Sequence, residues 1–159
     1  MNRYTFEELT VGQTESYSVT VTEDMLAHFL AITGDCNPLH NDAEFAKKKG
    51  YPGRVAYGML TASFLSTLAG VYLPGENSLI HSVETKFVKP VFVGDTLLVS
   101  GEVAEKNEHF PVIKLKVVIT NQKKEKVYFL LYKLLSVYHN SSYIFWLHLQ
   151  LKEPIFHHR

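Results

Sequence analysis

The segment Gly58 to Ala69, GMLTASFLSTLA, limits the choice of fold more than any other part of the chain. It is apolar or small nearly all round, so it reads as a helix buried on every side. Such a helix needs an element that surrounds it. Gly70 is expected to end it, and LPGEN to turn the chain back. The later sequence is β in character. Strands are expected over Leu79 to Val88, Thr96 to Lys106 and Val112 to Thr120, with a last one from about Val127. Turn signals separate them at Val93-Gly94-Asp95, Asn107-Glu108 and Asn121 to Glu125. Earlier, Gly12 to Thr22 sets Tyr17, Val19 and Val21 against Ser16, Ser18 and Thr20, the alternation of a strand. Thr22 then looks like an N-cap, followed by Glu23 and Asp24 where a first turn favours negative charge. Met25, Leu26, Phe29, Leu30 and Ile32 follow at helical spacing, and Gly34 is a stop. A second short helix is expected from about Asp42 to Lys49. One strand, helices and then a run of long strands make an α+β fold in which an antiparallel sheet covers a central helix.

The chain has 159 residues, with no internal repeat and no Gly-, Ser- or Pro-rich linker, so one domain over 1–159 is expected. Its formal net charge is +0, which leaves no electrostatic footprint for nucleic acid. Met1 to Gln13 lacks a basic-then-apolar pattern, so no signal peptide is expected. The most apolar late stretch, Val127 to Leu151, is broken by Lys133, His139, Asn140 and His148 and makes a poor membrane span. The single cysteine, Cys36, allows no internal disulfide and suits a reducing, cytoplasmic location. Eight histidines raise the question of a metal, but no spacing such as H-E-x-x-H or C-x-x-C is present, so no metal is expected.

Chemistry-bearing residues gather in GDCNPLHNDAEFA, Gly34 to Ala46. Pro38 fixes its own φ and pushes Asn37 away from the helical region. The segment is therefore expected to be extended, with Asp35 and His40 converging from its two ends. A carboxylate beside an imidazole is a common means of activating water or moving a proton. The plainer reading is that Asp35 and Asn37 cap the turn that follows. Gly58 stands at the start of the buried helix, where a bare N–H at the positive end of a helix dipole suits a carbonyl oxygen. An acid/base pair and a carbonyl polariser together suit chemistry at the α and β carbons of a thioester.

These segments resemble a known family. GDCNPLHNDAEFA resembles the hydratase-2 signature G-D-x-N-P-[LIV]-H-x5-[AS], with Ala46 closing it. GMLTASFLS resembles the start of that family's central helix, and FVKPVFVGDTL, Phe87 to Leu97, its later strand-turn-strand element. The resemblance is to MaoC-like (R)-specific enoyl-CoA hydratases and covers roughly residues 7 to 126. It implies a hot-dog fold and a hydro-lyase that adds water to a trans-2-enoyl-CoA to give an (R)-3-hydroxyacyl-CoA. Asp35 and His40 would be the catalytic pair, activating the water and delivering the proton to Cα. Asn37 would support the site, the Gly58 N–H would bind the thioester oxygen, and Ser66 would help to hold the pair, with Ser63 as the alternative neighbour. Leu65 is a candidate for the pocket wall. No cofactor is implied, coenzyme A being part of the substrate. The partners implied are the acyl-CoA thioester and a second copy of the chain, in a homodimer or higher homo-oligomer. Lys47-Lys48-Lys49 would meet coenzyme A phosphates or simply end a helix in solvent. The nearest alternative is a 3-hydroxyacyl-acyl-carrier-protein dehydratase running the same chemistry backwards. The non-enzyme alternative is a hot-dog module that binds acyl thioesters without acting on them.

There are two departures from that family's pattern. Tyr57 precedes the helix glycine where the family usually has His, a change expected to tune the site. From Val127 the composition shifts abruptly toward Tyr, Leu, Phe and His, with no acidic residue until Glu153. An altered gene end or an extension that covers an exposed face would each produce this. Val127 to Val137 is expected to remain a strand, and Tyr143 to Leu151 to pack on the domain or on a partner subunit.

Overall fold

The computed structural model describes residues 1–107 and 109–137. Thr14–Thr20 forms β1. Thr22 caps α1, Glu23–Thr33, its side chain accepting from the Met25 N–H. Gly34 ends that helix in the left-handed region, at φ 70°, donating its N–H to the Leu30 carbonyl. Two short helices follow, α2 over Pro38–Asn41 and α3 over Ala43–Lys48. The long apolar run becomes α4, Gly58–Thr67. Four strands complete the order: β2 over Ser78–Phe87, β3 over Thr96–Lys106, β4 over Val112–Thr120 and β5 over Lys126–Val137.

The strands form one antiparallel sheet in the order β1-β3-β4-β5-β2. The sheet wraps α4, which is the expected hot-dog arrangement. Leu97, Val99 and Val103 of β3 and Leu115, Val117 and Ile119 of β4 are at most 1% exposed and form the floor on which the helix lies. Gly101 of β3 clears the seat for Leu68, since a Cβ there would stand 2.7 Å from Leu68 Cδ2. Tyr17 of β1 fastens the helix from the side, its hydroxyl donating to the Phe64 carbonyl at 2.5 Å. Burial pushes that hydroxyl up to about 12, so it remains a donor throughout the neutral range.

Three expectations are corrected here. The segment after Asn37 is not extended: Pro38 opens a helical turn, and Asn37 caps it by accepting from the Leu39 N–H. Proline is well suited to the first helical position because the N–H it lacks would have had no partner there. Gly70 does not end the buried helix. α4 widens at Leu68 into a π-helical turn that runs through Gly70 to Tyr72. Nor is α4 covered all round, because Met59, Ser63 and Ser66 form an exposed stripe at helical spacing.

The expected strand from Val127 is present as β5, paired with both β4 and β2. The segment past Asn140, including the expected packing of Tyr143 to Leu151, lies outside the described residues. No described helix is long and apolar enough to cross a membrane.

Candidate active site

The exposed stripe of α4 forms one wall of a cleft of about 840 Å³. The turn after α1 and the inner face of β2 form the others. Of the residues singled out in the sequence, Asp35, His40, Gly58, Ser63, Leu65 and Ser66 all line this cleft. Asn37 does not. Its side chain is spent on capping α2, and its own N–H donates to Asp35 Oδ1 at 3.1 Å. That bond ties the Asp35 carboxylate to the turn and sets its direction.

Asp35 is exposed, while His40 is half-buried on α2. The His40 Nδ1 lies 2.7 Å from the Val55 carbonyl oxygen. A carbonyl only accepts, so Nδ1 must carry the proton in this bond, and in the neutral ring Nε2 keeps its lone pair. His40 is therefore held as the tautomer whose Nε2 lone pair is available to accept a proton. Val55 itself is fixed, its N–H donating to the Leu39 carbonyl at 3.1 Å, and the neighbouring Ala56 N–H donates to the Val91 carbonyl at 2.7 Å.

Gly58 is the first residue of α4, so its N–H is among those a helix leaves without an internal acceptor. Tyr57, at the N-cap, makes no side-chain hydrogen bond to them. The helix start is thus left open toward the cleft, with the positive end of its dipole behind it. Ser63 turns its hydroxyl hydrogen back to the Leu60 carbonyl at 2.7 Å. Leu65, 3% exposed, belongs to the apolar floor. Cys36 is exposed beside Asp35. Lys47 of α3 pairs with Glu44 at 2.9 Å, and Lys49 lies over the Phe45 ring.

Tyr57, singled out in the sequence as a departure expected to tune the site, lines the cleft, and its hydroxyl donates to the Asp35 carbonyl at 2.9 Å. Phe87 at the end of β2 was not legible in the sequence as a cleft residue, and it lies directly over Gly58. A Cβ built on Gly58 would stand 2.6 Å from Phe87 Cε1. The Phe87 ring, 53% exposed, also meets Tyr128 edge-on at 4.7 Å. Gly58→Ala is therefore expected to push the ring off its seat and across the cleft mouth. Because half of the ring is exposed, it has room to move, and the loss should appear in catalysis more than in stability. We expect roughly a tenfold fall in kcat/KM, the scale of a small misplacement at a reacting centre. Adding Phe87→Ala should restore part of it. Steady-state kinetics of the two single variants and the double variant check this, and a double variant no better than Gly58→Ala would assign the loss to the backbone alone.

Comparison with known proteins agrees with this architecture. The family model described as MaoC like domain matches residues 7–126. The chain is 36% identical over 116 residues to an (R)-specific enoyl-CoA hydratase of Aeromonas caviae, covering 73% of this chain and 87% of that one. It is 38% identical over 100 residues to a 3-hydroxybutyryl-CoA dehydratase of Methylorubrum extorquens, covering 63% of this chain and 64% of that relative. Among solved structures, the R-hydratase PhaJ1 of Pseudomonas aeruginosa in its unliganded form superposes with a TM-score of 0.80 at 30% identity, over 86% of each chain. The (R)-hydratase of A. caviae involved in PHA biosynthesis superposes with a TM-score of 0.79 at 32% identity, over 83% of this chain and 99% of that one. With its signature loop, its helix glycine and its wrapped helix all in the corresponding order, the chain belongs to the MaoC-like domain family.

Proposed function

We propose that this chain is an (R)-specific enoyl-CoA hydratase, a hydro-lyase that adds water to a trans-2-enoyl-CoA. The observation that carries the reading is that Asp35, His40 and the open start of α4 at Gly58 line one cleft. The thioester carbonyl would accept from the Gly58 N–H, drawing electron density from C3 and stabilising the enolate that forms. A water between Asp35 and His40 would lose a proton to the free Nε2 as its oxygen bonds to C3. The proton then returns to C2 through the same pair, so one water is added across the double bond. Asp35 orients the water and stabilises the imidazolium while it lasts. Protons move and no oxidation level changes overall, so the reaction asks for no redox cofactor, and the Gly58 N–H supplies the polarisation that a metal would otherwise provide.

The working form in this reading is a homodimer. β2 is an edge strand of the described sheet, and an open edge invites pairing. Leu79, Val83, Phe87 and Val88 on or beside it are 45–54% exposed, Met59 is 61% exposed and Ile32 82%. Met59, Val83 and Phe87 of this apolar set line the cleft, and a second copy laid along β2 would cover them and narrow its mouth. A reducing, cytoplasmic setting suits an exposed single cysteine next to Asp35.

Crotonyl-CoA is the test substrate. Hydration is read from the loss of enoyl-thioester absorbance in the purified protein. No loss of absorbance, or release of free coenzyme A in its place, would remove the hydratase reading.

A further inference from the structure

Tyr57 touches both members of the proposed pair. Its side chain is only 1% exposed. Its hydroxyl lies 2.9 Å from the Asp35 carbonyl oxygen and 3.1 Å from Asn41 Oδ1. Its ring lies against the His40 imidazole, with centroids 4.2 Å apart, and against Phe29 at 5.0 Å. Asn41 completes the contact, its Nδ2 donating to the Asn37 carbonyl at 3.1 Å. Tyr57 also stands at the N-cap of α4, one residue from Gly58. The three groups of the proposed mechanism therefore share one buried side chain as their common reference point.

We infer that Tyr57 is a positioning residue, whose hydroxyl, together with Asn41, locks the Asp35 turn in register with His40. The inference rests on the reading of Asp35 and His40 as the acid/base pair. The physical case starts from exposure. Asp35, Cys36 and Asn37 are exposed, and an exposed turn held only by its own local bonds has many conformations to lose. The short-range bonds from the Asn37 N–H to Asp35 and from the Leu39 N–H to Asn37 shape the turn but do not fix it to the body of the domain. The Tyr57 hydroxyl supplies that anchor, because it reaches back 22 residues in sequence to a main-chain oxygen. Main-chain attachment matters here, since it places Asp35 while leaving its carboxylate free for water. The ring does the same for His40. Val55 holds one nitrogen and Tyr57 covers one face, so the imidazole has little freedom to turn. A tyrosine that merely filled the core would need some partner for its hydroxyl, but not one on the turn that carries Asp35.

Tyr57→Phe separates the two roles, because it keeps the ring and removes only the hydroxyl. We expect kcat for crotonyl-CoA to fall about tenfold or more, with KM within about twofold, the pattern of a misplaced reacting group. Hydrogen exchange of the backbone over residues 35–41 should speed up, while exchange in β3 and β4 stays as in the wild type. Asn41→Ala leaves the ring untouched and should give the same two changes. The exchange measurement does not depend on the hydratase assignment, so failure of the wild type to hydrate crotonyl-CoA would remove the proposed activity without deciding this point. Wild-type kcat and unchanged exchange in both variants would overturn the inference. So would a lower melting temperature with kcat of the folded protein intact, which would make Tyr57 a packing residue only.

Discussion

Asp35→Asn and His40→Ala are each expected to lower kcat for crotonyl-CoA hydration by at least the roughly 100-fold that follows loss of a general acid or base. Combined, they should cost far less than the product of the single losses, because the two groups handle one water between them. The chemistry of each substitution differs. Asn keeps the oxygen that accepts from the Asn37 N–H at 3.1 Å, so the turn should persist while the charge is removed. Ala at position 40 removes the base, its bond to the Val55 carbonyl and its tilted ring contact with Tyr57. A stability loss of about 1 kcal/mol is expected for the missing bond, well short of unfolding a domain of this size. Stopped-flow or steady-state hydration by the two single variants and the double variant measures the effect, with circular dichroism to verify folding. Strictly multiplicative losses would mean that the residues act independently, contrary to a shared water.

Leu79→Lys is expected to convert a dimer into monomers. Leu79 is 45% exposed on β2 and is not among the residues lining the cleft, so the change strikes the proposed subunit contact while leaving the reacting groups untouched. An unpaired ammonium buried in a subunit contact costs at least about 3 kcal/mol. Two-fold symmetry places the change twice in one interface, so the dissociation constant should rise by roughly four orders of magnitude. Light scattering coupled to size-exclusion chromatography reads the mass directly. A wild type already monomeric at micromolar concentration would contradict the dimer, and a variant that stays dimeric would place the contact elsewhere.

The sequence was most legible where single residues force a local geometry. Thr22 and Gly34 bound α1 because each supplies a cap that few residues can. The limits of β3 and β4 agree with expectation because alternation stops at strong turn residues. The misreadings arose where a residue's usual preference was outweighed by the way the neighbouring chain winds. Pro38 restricts Asn37, and an extended chain is the usual consequence. That restriction held, but Asn37 became the cap of a helical turn. Gly70 favours a stop, yet the chain keeps winding, with the Leu73 N–H bonded back to the Leu68 carbonyl at 2.8 Å. The open stripe of α4 was hidden because Ser63 and Ser66 are small enough to pass for buried residues. Asp35, His40 and Gly58 were legible as chemistry only in combination, a carboxylate and an imidazole on one loop followed by a helix-start glycine, in the order that the family resemblance implies. Tyr57 was legible only as a departure at the helix start, since its bond reaches a main-chain oxygen 22 positions away, and Phe87 was not legible as a site residue, since its part depends on the bare Cα of a glycine.

The most direct test of the proposed function is the configuration of the product formed from crotonyl-CoA in deuterated water. The expected product is (R)-3-hydroxybutyryl-CoA carrying one solvent deuterium at C2, because water adds at C3 and the proton returns to C2 through the Asp35–His40 pair. Chiral chromatography with mass spectrometry reports both features in one sample. The (S) alcohol, or butenoate released by thioester hydrolysis with no hydration, would contradict it.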